Sequence, residues 1–173
     1  MERPTVAAHF VLLLMDYCRL HDLPAGRLLA EAGLPAQALD DVDARLAFSD
    51  YSHMLDCATE MLADDNLGLR LGTLVRPGNY GAHGLSLLAC PSIRELVPRM
   101  VRYAALVHDA CRDEVEERGD EWILHWRSNL AGNADPGRHH SELNFAATVA
   151  MARWMTGRDI TPLWVSFRHP EPK

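Results

Sequence analysis

The side chains best suited to hold a small organic molecule are an arginine, a tyrosine and a glutamate. Arg102 lies in an otherwise apolar helical pattern, where its guanidinium could bind a ligand carboxylate through two parallel hydrogen bonds. It could equally pair with Glu95 or Glu142, and Tyr103 follows it directly. Glu142 lies at a predicted helix start, where it could line a ligand pocket or interact with the free amide groups of the first turn. We predict Arg102, Tyr103 and Glu142 as ligand-binding residues.

Two further candidates, Tyr80 and His83, lie among three glycines that are spaced three residues apart. Glycine lets a ligand or another backbone approach closely because it has no side chain. The two polar side chains could therefore contact an effector, or they could pack against a neighbouring helix. The segment has neither the G-x-G-x-x-G order nor the Gly-Lys-Ser/Thr ending of phosphate-binding loops, so we do not predict a nucleotide site. The glycines are Gly78, Gly81 and Gly84.

Nine histidines raise the question of a metal or haem site. A closed zinc site needs four ligands at recognisable paired spacings. Three pairs have helical spacing, but none has a matching second pair, so we predict neither a metal nor a cofactor. The alternative hypothesis is a haem or metal sensor module that uses one of His83, His108 or His125 as an axial ligand. The three pairs are His53 with Cys57, His108 with Cys111, and His139 with Glu142.

Composition and motifs argue against several classes of function. A formal charge of −7 disfavours a nucleic-acid-binding surface, which needs clustered lysine and arginine. The four cysteines form no Cys-x-x-Cys pair and indicate a reduced, cytoplasmic protein. The apolar run from Phe10 to Met15 is far below the ~18 residues that a membrane span requires. No nucleophile triad or carboxylate pair stands out, and Ser86 and Ser166 lack the Gly-x-Ser-x-Gly setting, so we predict no enzyme.

The elements that must position these side chains are mostly helices, because apolar residues recur at helical spacing along most of the chain. Ser49 and Ser92 occupy positions from which a serine side chain commonly caps a helix. The helix after Ser92 is expected to continue to about Arg112, since its apolar residues keep a 3.6-residue period. The last helix is apolar nearly all round between Phe145 and Met155, which predicts burial on several sides. The predicted helices cover about 6–20, 24–32, 49–63, 67–75, 92–112 and 138–155.

A β-hairpin is predicted at about 113–128, where two alternating segments flank a Gly-Asp pair. Glycine in the first position of a two-residue turn favours type II′. In the corresponding register Val115 faces Leu124, and Trp122 and Trp126 lie on the same apolar face. The two tryptophans could wall a ligand pocket or belong to the core, and we include Trp126 among the ligand-binding candidates.

A third strand is predicted at about 162–169, because apolar and other residues alternate there with a period of two. Together with the hairpin, this strand would form a small antiparallel sheet beside the helices. The predicted fold class is therefore α+β, mainly helical. With 173 residues and no obvious linker, the chain is expected to form a single domain. In this strand Leu163, Val165 and Phe167 alternate with Trp164, Ser166 and Arg168.

A series of short motifs, in the same order along most of the chain, resembles AraC/XylS-type transcription regulators. The similarity is to their amino-terminal effector-binding domain of the arabinose-binding-like type. Each motif is only a few residues long, so the shared order carries the resemblance. The motifs are Ala32–Pro35, Asp43–Arg45, Gly68–Gly72, Gly78–Gly84, Arg102-Tyr103, Glu142, Thr156–Arg158 and Val165–Pro170.

What this resemblance implies is a cytoplasmic sensor of a small-molecule effector, such as a metabolite, an amino acid or a fatty acid. In the family, occupancy of this domain changes how a C-terminal helix-turn-helix domain binds DNA. We expect residues 1–173 to be the effector-binding and dimerisation domain, truncated before that DNA-binding domain. The resemblance also implies a homodimer, since such regulators usually bind paired DNA half-sites, and the apolar helix at 145–155 could supply the interface.

Overall fold

Seven α-helices and two pairs of antiparallel strands form the part of the chain that the computed structural model describes, which is residues 3–41 and 43–170. This arrangement confirms the expected mainly helical α+β class. The helices are α1 (Ala8–Leu20), α2 (Ala25–Glu31), α3 (Phe48–Leu62), α4 (Leu67–Leu74), α5 (Gly81–Leu88), α6 (Ile93–Tyr103) and α7 (Arg138–Thr156). The strands are β1 (Thr5–Ala7), β2 (Arg45–Ala47), β3 (Cys111–Arg118) and β4 (Glu121–Ser128).

The core is formed mainly by α1, α3, α4 and α7. On α3 the buried side chains recur every three or four residues, as the apolar pattern predicted, whereas eight of the thirteen residues of α1 are buried. Tyr51, Leu55 and Ala58 of α3 are buried as expected, whereas Leu20 at the end of α1 is 78% exposed. None of the described helices combines the length and apolar composition that crossing a lipid bilayer requires.

Two glycines allow α4 and α7 to approach each other closely. Gly68 and Gly72 are one helical turn apart on α4 and are buried against α7. A Cβ atom on Gly68 would overlap the backbone of His139, and one on Gly72 would lie 2.5 Å from the carbonyl oxygen of Leu143. The absence of both side chains therefore sets the distance between the two helices, and with it the position of α7 in the core.

The hairpin of β3 and β4 has the predicted register. Val115 faces Leu124, and the turn has a positive φ at Gly119 alone, as type II′ requires. Two glutamates on the opposite, polar face each contact two basic residues. Glu114 pairs with Arg112 and Arg127, and Glu116 pairs with Arg118 and His125, at distances of 2.6–3.1 Å.

One predicted helix cap and one helix end are wrong. Ala47, not Ser49, occupies the N-cap position of α3, whereas Ser92 occupies the N-cap position of α6 as predicted but makes no side-chain capping hydrogen bond. The helix expected to reach about Arg112 ends at Tyr103, where a 3₁₀ turn follows. The cause is tertiary, because the apolar residues beyond this point pair with β1 and begin β3. The Ala7 amide donates to the Val107 carbonyl at 2.7 Å.

The pair of β1 and β2 was not predicted, because each strand has three residues and shows no measurable alternation. Val6, expected in the first helix, belongs to β1. Arg45 on β2 fixes this small sheet to the turn after α6. Its guanidinium donates to the Thr5 hydroxyl at 2.7 Å and to the carbonyl of Leu106 at 3.0 Å.

The strand expected at about 162–169 is also wrong for the residues that the structure describes, since this segment makes no ladder hydrogen bonds with any of the four strands. A strand exists only where a partner backbone faces it, and alternation alone cannot supply that partner. Phe167 packs on Phe145 with ring centres 5.4 Å apart. By contrast, Leu163, Trp164 and Val165 are 78%, 59% and 45% exposed.

Candidate functional site

A groove of about 570 Å³ lies between α5 and α6. Two of the predicted ligand-binding residues, Arg102 and Tyr103, line it. The volume is within the range of about 300–1,000 Å³ that small-molecule sites occupy. This groove is therefore the first candidate for an effector site. Its other lining residues are Ser86, Arg94, Glu95, Pro98 and Arg99.

The spacing along α6 explains why these side chains share one wall of the groove. Arg94, Pro98 and Arg102 recur every four residues, and Glu95 and Arg99 repeat the interval beside them. Residues four apart lie one above the other on an α-helix. One side of α6 therefore presents three guanidinium groups and one carboxylate to the groove.

Two of these guanidinium groups are positioned by aromatic rings. The guanidinium carbon of Arg94 lies 5.5 Å from the ring centre of Trp122 on β4. That of Arg102 lies 5.5 Å from the ring centre of Tyr103. Such cation–π contacts orient a guanidinium group and leave most of its five N–H donors free for a ligand.

The three arginines of the groove have no carboxylate partner within 4.0 Å among residues 3–41 and 43–170. The alternative in which Arg102 pairs with Glu95 or Glu142 is therefore wrong. Arg99 donates instead to the carbonyl oxygen of Ser86 on α5 at 3.1 Å, which ties the two walls of the groove together.

Tyr80 and His83 do not line the groove but lie near it, behind Tyr103. The His83 ring centre lies 6.3 Å from that of Tyr103 and 5.9 Å from that of Tyr80, which packs on Phe10 at 5.6 Å. Burial lowers the pKa of His83, so this histidine is neutral at pH 7. Its Nδ1 atom is buried and has no hydrogen-bond partner within the described chain. Four predicted residues, Tyr80, His83, Arg102 and Tyr103, are thus brought together.

Asp113 is a neighbour of this group that the sequence analysis did not select. It lies on β3 opposite Trp126, on the apolar face of the hairpin. Burial raises the pKa of Asp113 to about 6. Burial and, in second place, the charge of Asp113 raise the pKa of Tyr80. The predicted register contained the signal, because it placed this carboxylate on the same face as Val115.

Trp126 belongs to an interior cluster with His108 and His140, which we call the imidazole cluster. The three ring centres are separated by 5.0–6.0 Å. His140 is 1% exposed, and neither of its ring nitrogens has a hydrogen-bond partner within the described chain. The Nδ1 atom of His108 and the Nε1 atom of Trp126 are unpaired in the same way. Burial lowers the pKa of His108 to about 4 and also lowers that of His140, so both rings are neutral at pH 7.

The structure places Glu142 away from the groove. Its buried carboxylate accepts a hydrogen bond from the Arg138 guanidinium at 2.8 Å and lies 3.7 Å from Nε2 of His169. No side-chain cap closes the start of α7, so the alternative in which Glu142 interacts with the free amide groups is not what the contacts show. Its part in effector binding stays a prediction.

No three side chains of His, Cys, Asp or Glu in the described residues come together in a way that could hold a metal ion. His53 and Cys57 do meet, with 3.7 Å between Nε2 and Sγ, but they have no third ligand. Of the histidines considered as haem ligands, His83 and His108 are buried, and His125 is bonded to Glu116 at 3.1 Å. No observation therefore favours the haem or metal hypothesis.

A second depression, of about 490 Å³, lies beside the start of α3. It is lined partly by Ser49, Ser52 and Asp56 on α3 and by Asp135 and Pro136 before α7. None of the predicted ligand-binding residues lines it. The first groove is also lined by Arg94 and Arg99, which were not predicted from the sequence and which a plot of the charged residues of α6 around its axis would have placed beside Arg102.

Residues 23–173 match the family described as the N-terminal arabinose-binding domain of the AraC transcription regulator. The matched part contains α2 to α7 and the β3–β4 hairpin, and it therefore includes the groove, the imidazole cluster and all six predicted ligand-binding residues. A comparison with curated proteins gives no match for the chain.

Proposed function

The chain belongs to the family of N-terminal arabinose-binding domains of AraC transcription regulators, and we propose that it senses a small-molecule effector and controls DNA binding by a helix-turn-helix domain. The family match over residues 23–173 carries the proposal. Domains of this family are ligand-binding and regulatory, not enzymatic. A metabolite, an amino acid or a fatty acid would serve as the effector, and a cytoplasmic location would give the regulator access to DNA.

The groove between α5 and α6 is the proposed effector site. Arg102 and Tyr103 would contact the ligand at the groove itself, and Tyr80 and His83 would contact a part that reaches toward the core. Trp126 lies opposite Asp113 on the hairpin. It would contact a part of the ligand that extends past Asp113. Glu142 would contact an effector only after its carboxylate releases Arg138, to which it is bonded.

The loose packing of α6 supports a regulatory role for this site. Leu96 is the only buried residue among the eleven of α6, and Pro98 interrupts its hydrogen-bond ladder. A ligand held between α5 and α6 would favour the arrangement of α6 that contacts it best. That shift would reach the hairpin through the contact of Arg94 with Trp122.

The thermal stability of the purified domain tests the sensing function directly. A cognate effector present at one hundred times its dissociation constant is expected to stabilise the folded state by about 2.7 kcal/mol, because it binds that state selectively. For a domain of this size we expect the melting temperature to rise by about 5–10 °C, measured by differential scanning fluorimetry across metabolite, amino acid and fatty acid collections. Absence of any melting shift and of any calorimetric heat across these collections would remove the support for sensing.

DNA binding supplies the second arm of that test. Residues 1–173 carry a formal charge of −7 and should not retard promoter DNA in a gel, since tight binding requires many cationic contacts to phosphate. A chain that also contains a helix-turn-helix domain should retard it in an effector-dependent way. Sequence-specific retardation of DNA by residues 1–173 alone would contradict the proposal that this domain senses the effector and that a helix-turn-helix domain binds the DNA.

Self-association through α7 is a further part of the proposal. Trp154 is 49% exposed near the end of this helix, and a large exposed apolar side chain is typical of an interface core. We expect the wild type to be a dimer and Trp154→Glu to have the monomer mass in multi-angle light scattering, with unchanged circular dichroism. Leu20→Glu on α1, where the side chain is 78% exposed, is the matched control and should remain dimeric. A dimeric Trp154→Glu variant would place the interface elsewhere.

A further inference from the structure

We propose that the groove between α5 and α6 binds a small organic dianion, such as a dicarboxylate, through the guanidinium groups of Arg94, Arg99 and Arg102. This inference rests on the proposed function, because it names the chemical class of the effector for that same site. It is carried by the charge of the groove, by its size, and by the absence of a carboxylate partner for its arginines among the described residues.

The charge of the groove is opposite to that of the whole chain. Three guanidinium groups and the carboxylate of Glu95 give the lining a local charge of about +2, whereas the chain carries −7. A concave cluster of one sign attracts a ligand of the other sign and raises its local concentration. Two negative charges on the ligand would neutralise the lining.

The three arginines are available for such a ligand because no carboxylate of the described residues pairs with them. The arginines of the hairpin differ in this respect, since Arg112, Arg118 and Arg127 each pair with a glutamate at 2.6–3.0 Å. A guanidinium group matches the geometry of a carboxylate and can donate two parallel hydrogen bonds to it. Three such groups on adjacent turns of one helix can hold the two ends of one dicarboxylate.

The dimensions favour a small molecule over a polymer. A volume of about 570 Å³ accommodates a metabolite, and the ring of Tyr103 and the ring of Pro98 offer apolar contact to its carbon chain. Binding of nucleic acid at useful affinity depends on neutralising a long row of phosphates. Three arginines on one helix of eleven residues, in a chain of net negative charge, do not provide such a row.

Titration calorimetry with succinate, glutarate and adipate tests this inference on the domain. We expect saturable binding of at least one of them at low ionic strength, weakened by 150 mM NaCl, which screens such charges with a Debye length of about 8 Å. The diamide of the best dicarboxylate, which is uncharged and similar in size, should bind at least about tenfold more weakly, because charge-assisted hydrogen bonds are about twice as strong as neutral ones. Inorganic phosphate is included to distinguish an organic dianion from any dianion.

Variants that remove positive charge inside and outside the groove identify the site. Arg99→Gln combined with Arg102→Gln should weaken dicarboxylate binding by about 100-fold, whereas Arg27→Gln, which removes one exposed charge on α2, should cause only a small, salt-sensitive loss. Glu95→Gln should tighten binding severalfold, because it removes the one repulsive charge of the groove. This gain of affinity cannot arise from misfolding, and circular dichroism with urea unfolding monitors the fold of the double variant.

The inference is overturned by equal binding of dicarboxylate and diamide, by no saturable binding of any dicarboxylate, by weaker binding in Glu95→Gln, or by undiminished binding in the folded double variant. Phosphate binding as tight as that of the best dicarboxylate would overturn the assignment to an organic ligand. If an uncharged metabolite raises the melting temperature while no dicarboxylate binds, the proposed sensing function stands and only the dianion is rejected.

Discussion

Gly68→Ala is expected to destabilise the domain by about 2–3 kcal/mol, although alanine is the better helix former. A methyl group at this position would overlap the backbone of His139, which cannot rotate away as a side chain could. The overlap can be relieved only if α4 and α7 move apart. That movement would displace His140 of the imidazole cluster, which lies on α7. Urea unfolding followed by circular dichroism measures the loss as a lower midpoint at unchanged slope.

Gly26→Ala on α2 is the matched control, because nothing lies within 4 Å of the site of its Cβ atom. The same substitution there should stabilise the domain by about 0.5–1 kcal/mol, which is the usual gain of alanine over glycine in a helix. A Gly68→Ala variant as stable as the wild type would show that the two helices separate without cost. In that case the glycines would not determine the position of α7.

The second large effect is expected from Asp113→Asn, which should stabilise the domain by about 1–3 kcal/mol at pH 7 and have almost no effect near pH 4. Burial raises the pKa of Asp113 from 3.8 to about 6. The folded state therefore holds this proton more tightly than the unfolded state. The resulting stability is fully present below pH 3.8 and is lost as pH rises through 6, so that the ionised carboxylate weakens the fold at neutral pH.

The imidazole cluster has the opposite pH dependence in nearly the same range. Burial lowers the pKa of His108 from 6.5 to about 4, while the charges of Asp109 and Arg45 act on it in opposite directions. Stability from the neutral ring is present above pH 6.5 and is lost as pH falls toward 4, by at most about 3 kcal/mol. Burial also lowers the pKa of His140, so its contribution to stability is likewise lost as pH falls. In the wild type these losses oppose the gain from protonated Asp113.

Urea unfolding at half-unit steps from pH 4 to pH 7.5 separates these contributions. Asp113→Asn should lose more stability than the wild type as pH falls below 6.5, because it keeps the losses from the buried histidines but lacks the offsetting gain from protonation of Asp113. Asp120→Asn in the exposed hairpin turn is the control and should follow the wild-type curve. A constant difference between Asp113→Asn and the wild type at all pH values would mean that the carboxylate does not titrate near pH 6.

Much of the local structure could be predicted from the sequence, because it depends on contacts between near neighbours. The hairpin register followed from alternation and from one glycine in the turn, and it gave the partners of Val115 and Glu114 correctly. The helix predicted at about 138–155 is present at 138–156, but the expected burial on several sides is wrong, because its buried side chains lie mainly on the face toward α4 and Trp154 is exposed. The lining of the candidate groove could be predicted in part, since Arg102 and Tyr103 line it and Tyr80 and His83 lie behind Tyr103, while the part of all six candidates in effector binding stays a prediction.

The remaining features depend on partners that are distant in sequence. The end of α6 is set by the pairing of Val107 with β1, about one hundred residues earlier in the chain. Whether 162–169 forms a strand depends on a neighbouring backbone that no alternation can specify. The location of Glu142 was decided in the same way, since Arg138 and His169 surround its carboxylate.

The sequence alone determined the family, the mainly helical α+β class and the hairpin. The reason is that the order of motifs and the periodicity of apolar residues depend only on the linear order of residues along the chain. Only the tertiary structure decided which polar side chains face a common space. It left three arginines of α6 without carboxylate partners among the described residues, placed Asp113 in a half-buried position, and buried His108 and His140. The physical reason is that charge pairing and desolvation depend on distances across the fold, and those distances are fixed only when the helices pack.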